Sequence, residues 1–176
     1  IGCCSKLFLK LSVSNMVDEH ITGSADMPSS KQTVNDIYRG SCFCGEVEVE
    51  IVGAAVAQLL CHCTVCRSWS ATPMTGATLF RPEDVRITKG ADSLRRYARN
   101  EGHDRCFCCH CGGHVMADHQ DTYGIIDVYA AILDGFTFNP TAHINYESAM
   151  LRVSDGLPKY RDFSADFGGS GEMMDE

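Results

Sequence analysis

Nine of the eleven cysteines in this 176-residue chain fall into three tight groups: GSCFCGEV at 40–47, CHCTVC at 61–66 and RCFCCHCGG at 105–113. Thiols this dense, and odd in total number, suit metal ligation better than a disulfide framework. A metal gripped by distant segments decides which strands meet, and contributes roughly 10 kcal/mol or more to folding. In the first and third groups a Gly directly follows a cysteine (Cys44-Gly45 and Cys111-Gly112), so the backbone there can turn its amides towards a thiolate. Cys42, Cys44, Cys108 and Cys111 therefore supply four sulfurs for a closed, structural Zn²⁺. Cys106 and Cys109 repeat the CxxC spacing, but no Gly follows Cys109, and both are read as bystanders.

The middle group offers only three thiols, Cys61, Cys63 and Cys66, and no second pair to complete them. Three protein ligands and one exchangeable position are the pattern of a catalytic zinc. In an extended segment residues 61 and 63 share a face while His62 points away, to a supporting position or to solvent. His110, His114 and Cys109 remain available as a fourth ligand, which would close the site. Zn²⁺ with three thiolates carries a net charge of about -1, a poor generator of hydroxide but a good host for an exogenous thiolate. That points to a thiol-bearing substrate, glutathione being the abundant intracellular one. Arg67, beside the trio, is the first candidate for its carboxylates. Arg95, Arg96, Arg99 and Arg105 read as a solvated strand face. Trp69 and Pro73 stand where they can wall a small pocket, and His103 and Asp127 are candidates for acid-base work.

The rest of the chain is legible as mainly β. EVEVEIV (46–52) alternates acid with Val or Ile, the mark of a strand with one buried face. Strands are also expected at 57–61, on both sides of Pro82 within 76–90, and at 93–99, 111–118, 123–135 and 140–146, with no long amphipathic helix. Residues 1–36 read as a flexible leader, the run before Met16 as an extension ahead of the natural start, 37–163 as one domain and 164–176 as a flexible tail. No signal peptide or membrane anchor is read in the opening residues, which with the clustered thiols suggests a reducing, cytoplasmic setting. A net charge of -8 argues against nucleic acid or an anionic membrane as partner. Self-association into a homo-oligomer stays open.

GSCxCGxV, then CHCxxCR, then FCxxCG, in this order and at these separations, resembles the glutathione-dependent formaldehyde-activating enzyme family, which includes centromere protein V. Leu133-Asp134, Pro140, His143-Ile144 and DGLPKY from Asp155 resemble the family's later landmarks, so the likeness spans about residues 38–163. The resemblance implies a fold of small coiled antiparallel sheets, tent-like, organised round a structural zinc, with little helix. It also implies a structural zinc on Cys42, Cys44, Cys108 and Cys111 and an active-site zinc on Cys61, Cys63 and Cys66. The implied activity is that of a carbon-sulfur lyase interconverting formaldehyde and glutathione with S-hydroxymethylglutathione. Where family members continue after CHCxxCR with a small residue and Gly, this chain has SWSATP. Two other functions compete: a non-enzymatic zinc scaffold for a protein partner, and zinc-dependent C–S cleavage or thiol addition on a larger electrophile.

Overall fold

The structure, a computed structural model, describes residues 36–175; the expected leader, with Cys3 and Cys4, lies outside them apart from Asp36. Ten strands form two sheets. The smaller joins β1 (Ile37–Ser41), β2 (Glu48–Val52) and β5 (Val85–Lys89) in the order β1-β2-β5. The larger holds β3 (Ala57–Cys61), β4 (Thr75–Phe80), β6 (Leu94–Ala98), β7 (Asp104–Cys108), β8 (His114–His119), β9 (Ile125–Val128) and β10 (Ala142–Ile144). Their order is β10-β3-β4-β9-β8-β7-β6.

The alternation in EVEVEIV works as its chemistry dictates. Val47, Val49 and Ile51 are buried against Phe80, Cys106, Met116 and Val128 of the larger sheet, forming the main core. The intervening acids face outward, where Glu50 pairs with Arg39 at 2.7 Å and Glu48 with Lys89 at 3.1 Å. A second apolar cluster, Leu59, Cys61, Ala77, Leu79, Ala142 and Ile144, has Cys63, Cys66, Tyr160 and Phe163 packed on it.

Several elements differ from expectation. β1 and β7 carry no clean alternation of their own and are strands because they pair with β2, and with β6 and β8. The run at 123–135 is a strand only over β9; beyond it the chain turns at Ala130–Ile132 and crosses to the far edge of the sheet. That crossing lets β10 enter parallel to β3, with Ala142 opposite Leu59, against the antiparallel pairing expected throughout. A short helix, α1 (Thr64–Ser70), stands between β3 and β4; the Cys63 sulfur caps its start and Ala71, at φ 51°, ends it.

The segment after 163, expected from its composition as a flexible tail, folds back on the domain through turns. Its Ser, Asp and Gly residues are spent on turns: Asp162 Oδ1 accepts from both the N–H and the hydroxyl of Ser170, at 3.0 and 2.7 Å. Tyr160 then bridges to Met173, and Met174 N–H bonds Lys159 O at 2.8 Å.

Candidate metal centres

The turn between β1 and β2 and the turn after β7 bring Cys42, Cys44, Cys108 and Cys111 together, all four sulfurs within 4.8 Å of one another. Cys42 and Cys44 are 3.6 Å apart, and Cys44 and Cys108 3.8 Å. A tetrahedron with metal–sulfur bonds of about 2.3 Å has edges of about 3.8 Å, so four thiolates so placed fit Zn²⁺. The two glycines do what their positions demand. Gly45 and Gly112 lie at φ 74° and 70°, where side chains are strained. Val47 N–H then reaches Cys42 Sγ at 3.3 Å and Gly113 N–H reaches Cys111 Sγ at 3.4 Å. Burial works to raise the Cys42 pKa, but the Val47 amide and the neighbouring thiols outweigh it and bring it down to about 6. Cys109 is exposed and Cys106 fully buried in the main core, and neither is a member of this group.

The second centre forms where β3 ends and α1 begins. Cys61, Cys63 and Cys66 lie within 4.8 Å of one another, and among the described residues no fourth His, Cys, Asp or Glu joins them. His110, His114 and Cys109 are therefore not ligands in this arrangement. Each sulfur receives at least one N–H: Asn145 Nδ2 to Cys61 at 3.8 Å, the Cys66 amide to Cys63 at 3.2 Å, and Arg105 Nη2 to Cys66 at 3.5 Å. Such donors spread the charge of a thiolate cage. The crowded sulfurs also split one another's titration: hydrogen bonds from Cys61 and then Cys66 lower the Cys63 pKa, while the same contact with Cys63 raises that of Cys61. A divalent cation relieves that conflict, so this donor set too fits Zn²⁺, with three ligands from the described chain.

The residues around the trio differ from the sequence reading in instructive ways. His62 does point away from the sulfurs, but not to solvent: it is 0% exposed, and its Nε2 lies 2.8 Å from His143 Nδ1. His143 Nε2 in turn meets Asp155 Oδ2 at 2.9 Å, and Lys159 donates to Asp155 Oδ1 at 2.6 Å. Burial, then the His143 charge, lower the His62 pKa to about 4 and keep it neutral. Arg67 gives its Nε to His62 O at 2.9 Å and its Nη2 to Ser148 O at 2.8 Å, tying α1 to the loop after β10. Arg67 also borders an open groove of about 470 Å³, lined besides by Thr64, Ser68, Ala71, Thr72, Pro73 and Met150. Trp69 stacks on His114, ring centres 4.5 Å apart, with Tyr97 and Phe107 around it.

Arg105 is the residue the sequence reading misplaced. Instead of lying on a solvated face it is 8% exposed. Strand register explains this: Arg105 stands opposite Ala117, Ala117 opposite Asp127, and Asp127 opposite Leu79, a row whose members project to one side of the sheet. Leu79 is four residues along β4 from Thr75, which opposes Cys61, so the trio and this row share a face. Ala117, with only a methyl group, leaves room for the long Arg105 side chain to cross towards Cys66. Asp127 Oδ1 accepts the Thr78 N–H at 2.7 Å; burial raises its pKa to about 7, partly opposed by that bond and by Arg105. Tyr129, two residues on, is raised to about 12 chiefly by burial and stays a neutral hydroxyl. His103 lies elsewhere, its Nδ1 2.9 Å from His119 Nδ1. An arginine directly ahead of a cysteine cluster is the clue the sequence offers to Arg105; only β-pairing says which way it faces.

The sequence model of the glutathione-dependent formaldehyde-activating enzyme family matches residues 37–148, which include both sulfur centres. The chain belongs to this family. Members of the family are thus the frame in which the two cysteine centres and their thiol-linked chemistry are to be read. No curated protein matches the chain. Among solved structures, a Rhodobacter sphaeroides protein is similar, at 27% identity and a TM-score of 0.48, over 56% of this chain and 90% of its own length. No described helix is long and apolar enough to cross a membrane.

Proposed function

We propose that the chain is a zinc-dependent carbon-sulfur lyase acting on the adduct of glutathione, or a similar thiol, with an aldehyde. The observation that carries this is the trio itself: three convergent sulfurs, each with its own N–H donor, and no fourth described ligand. Cys42, Cys44, Cys108 and Cys111 would hold a structural zinc, and Cys61, Cys63 and Cys66 a second one with a position left for substrate sulfur. Bound there, zinc supplies a Lewis acid that favours sulfur as thiolate, the form that leaves when the carbon-sulfur bond breaks and attacks when it forms.

The chain's own residues prepare that position. Zn²⁺ with three thiolates has a formal charge of -1, and the buried Arg105 guanidinium against Cys66 brings the region near neutrality before substrate enters. A further thiolate then costs less to desolvate. The groove beside α1 offers a mainly apolar wall for the body of the thiol. Arg67 keeps Nη1 for a carboxylate, its other two nitrogens being committed to holding α1 in place. A cytoplasmic, reducing setting suits nine cysteines with no disulfide among them.

The test is spectroscopic and kinetic together. In cobalt-substituted protein, glutathione is expected to intensify the sulfur-to-metal charge-transfer absorption, and Cys63→Ser to abolish both that response and lyase activity while the fold is kept. An unchanged spectrum with glutathione, or full activity in a folded Cys63→Ser protein, would overturn the reading.

A further inference from the structure

Four buried polar groups on the Cys66 side of the sheet are short of partners. Arg105, more than nine-tenths buried, makes one side-chain hydrogen bond among the described residues, to Cys66 Sγ, and no ion pair within reach. Its other N–H groups have no described acceptor. Trp69 Nε1 is buried without a described partner, and the buried Tyr129 Oη and Ser70 Oγ have at most each other. Burying one such group unpaired costs about 1–3 kcal/mol, so several in one place ask for a reason.

These groups converge by construction. Trp69, Ser70 and Cys66 fall on one side of α1, whereas Thr64, Arg67, Ser68 and Ala71 line the groove on the other. Tyr129 and Arg105 rise from the sheet face beneath; the Trp69 ring lies on His114, and His114 faces Tyr129 with ring centres 5.8 Å apart. All the unmet groups can donate a hydrogen bond, and a set of donors next to a thiol-binding position suits an oxygen carried one atom away from the sulfur.

We propose that Arg105 and Tyr129 are specificity-determining residues that bind the oxygen on the substrate carbon attached to sulfur, so that the site selects hydroxyalkyl or acyl thiol adducts over plain thioethers. This rests on the reading of the trio as the seat of the substrate sulfur. The body of the thiol then lies along the groove by Arg67, and the oxygen-bearing carbon turns to the opposite side of α1, under Trp69.

Trp69 is the only tryptophan in the chain, so its emission reports this side of α1 directly. The zinc-loaded full chain is titrated with S-hydroxymethylglutathione, formed from glutathione and formaldehyde, and with S-methylglutathione, which lacks the oxygen. The hydroxymethyl adduct is expected to bind about tenfold more tightly. Tyr129→Phe, which removes one oxygen and keeps the ring stack, and Arg105→Met are each expected to bring that ratio close to one. Affinity for S-methylglutathione should change less than about threefold in Tyr129→Phe. Equal binding of the two ligands by the unaltered protein, or a preference that survives in Tyr129→Phe, overturns the assignment and leaves the trio's role standing. If neither ligand binds the unaltered protein, the assignment and the lyase reading fall together.

Discussion

Replacing Cys108 by Ser removes one ligand from the four-sulfur centre and, with it, the clip between the β1–β2 turn and β7. Cys108 is fully buried and lies 3.8 Å from Cys44, 64 residues away in sequence. Treated as a cross-link, a closed loop of that length is worth about 4 kcal/mol in chain entropy. The buried hydroxyl introduced in place of the thiol adds about 1 kcal/mol, so a loss of at least about 5 kcal/mol is expected, the forfeited metal-binding free energy adding to it. That is a large part of the stability of a single domain. Urea unfolding followed by Trp69 emission measures it, since that ring is stacked among His114, Tyr97 and Phe107 and moves to water on unfolding. Zinc content measured on the same sample should fall from two per chain to one. Cys109→Ser, at an exposed thiol outside the group, should change stability by less than about 0.5 kcal/mol. A Cys108→Ser protein within about 1 kcal/mol of the parent, or one still carrying two zinc ions, would refute the clip.

Gly40→Ala would drive a Cβ into Ile132 O, a backbone atom that cannot swing aside, and should cost about 2–3 kcal/mol, read as a melting point lower by roughly 5–10 °C; an unchanged melting point would refute the close contact between β1 and the turn after β9. Asp127, raised to about 7 in the fold, binds its proton more tightly there than unfolded, so its contribution is fully favourable below about pH 4 and is lost as pH rises through 7. Relative to Asp127→Asn, the unaltered protein should lose up to about 4 kcal/mol between pH 4 and 8; parallel stability profiles for the two proteins would show that Asp127 is already ionised at low pH. Lys159→Met leaves Asp155 and His143 without their cation at the foot of β10 and should cost about 2 kcal/mol in urea unfolding, Asp155 being partly able to rehydrate; no loss would mean that the cost of burying the ammonium cancels the gain from pairing it.

The parts of the site legible in the sequence are those that depend on local spacing. Cys-x-Cys and Cys-x-x-Cys place thiols on one side of a turn whatever the rest of the chain does, and a following Gly at positive φ frees amides for the sulfur. EVEVEIV likewise declares which face is buried, because the pleat alternates side chains and acids resist desolvation. Spacing also said that His62 turns from the sulfurs. It did not say what waits on the other side, since His143 and Lys159 arrive there only through the parallel entry of β10 and the bridge of His143 to Lys159.

Position in the sheet stack, by contrast, is set by register among strands far apart in sequence. Arg105 lies in a run of arginines and polar residues that reads as a wet surface, yet its pairing with Ala117, itself opposite Asp127, turns it under α1 and against Cys66. Trp69, Ser70 and Tyr129 become neighbours for the same reason, because α1 is a single short helix that draws its place from packing and not from its own weak helix propensity. The sequence by itself determined the two sets of sulfurs, since metal ligation requires particular atoms at short range. The tertiary structure alone decided what surrounds them, since burial and charge pairing depend on chain segments that only the folded sheet brings to one face.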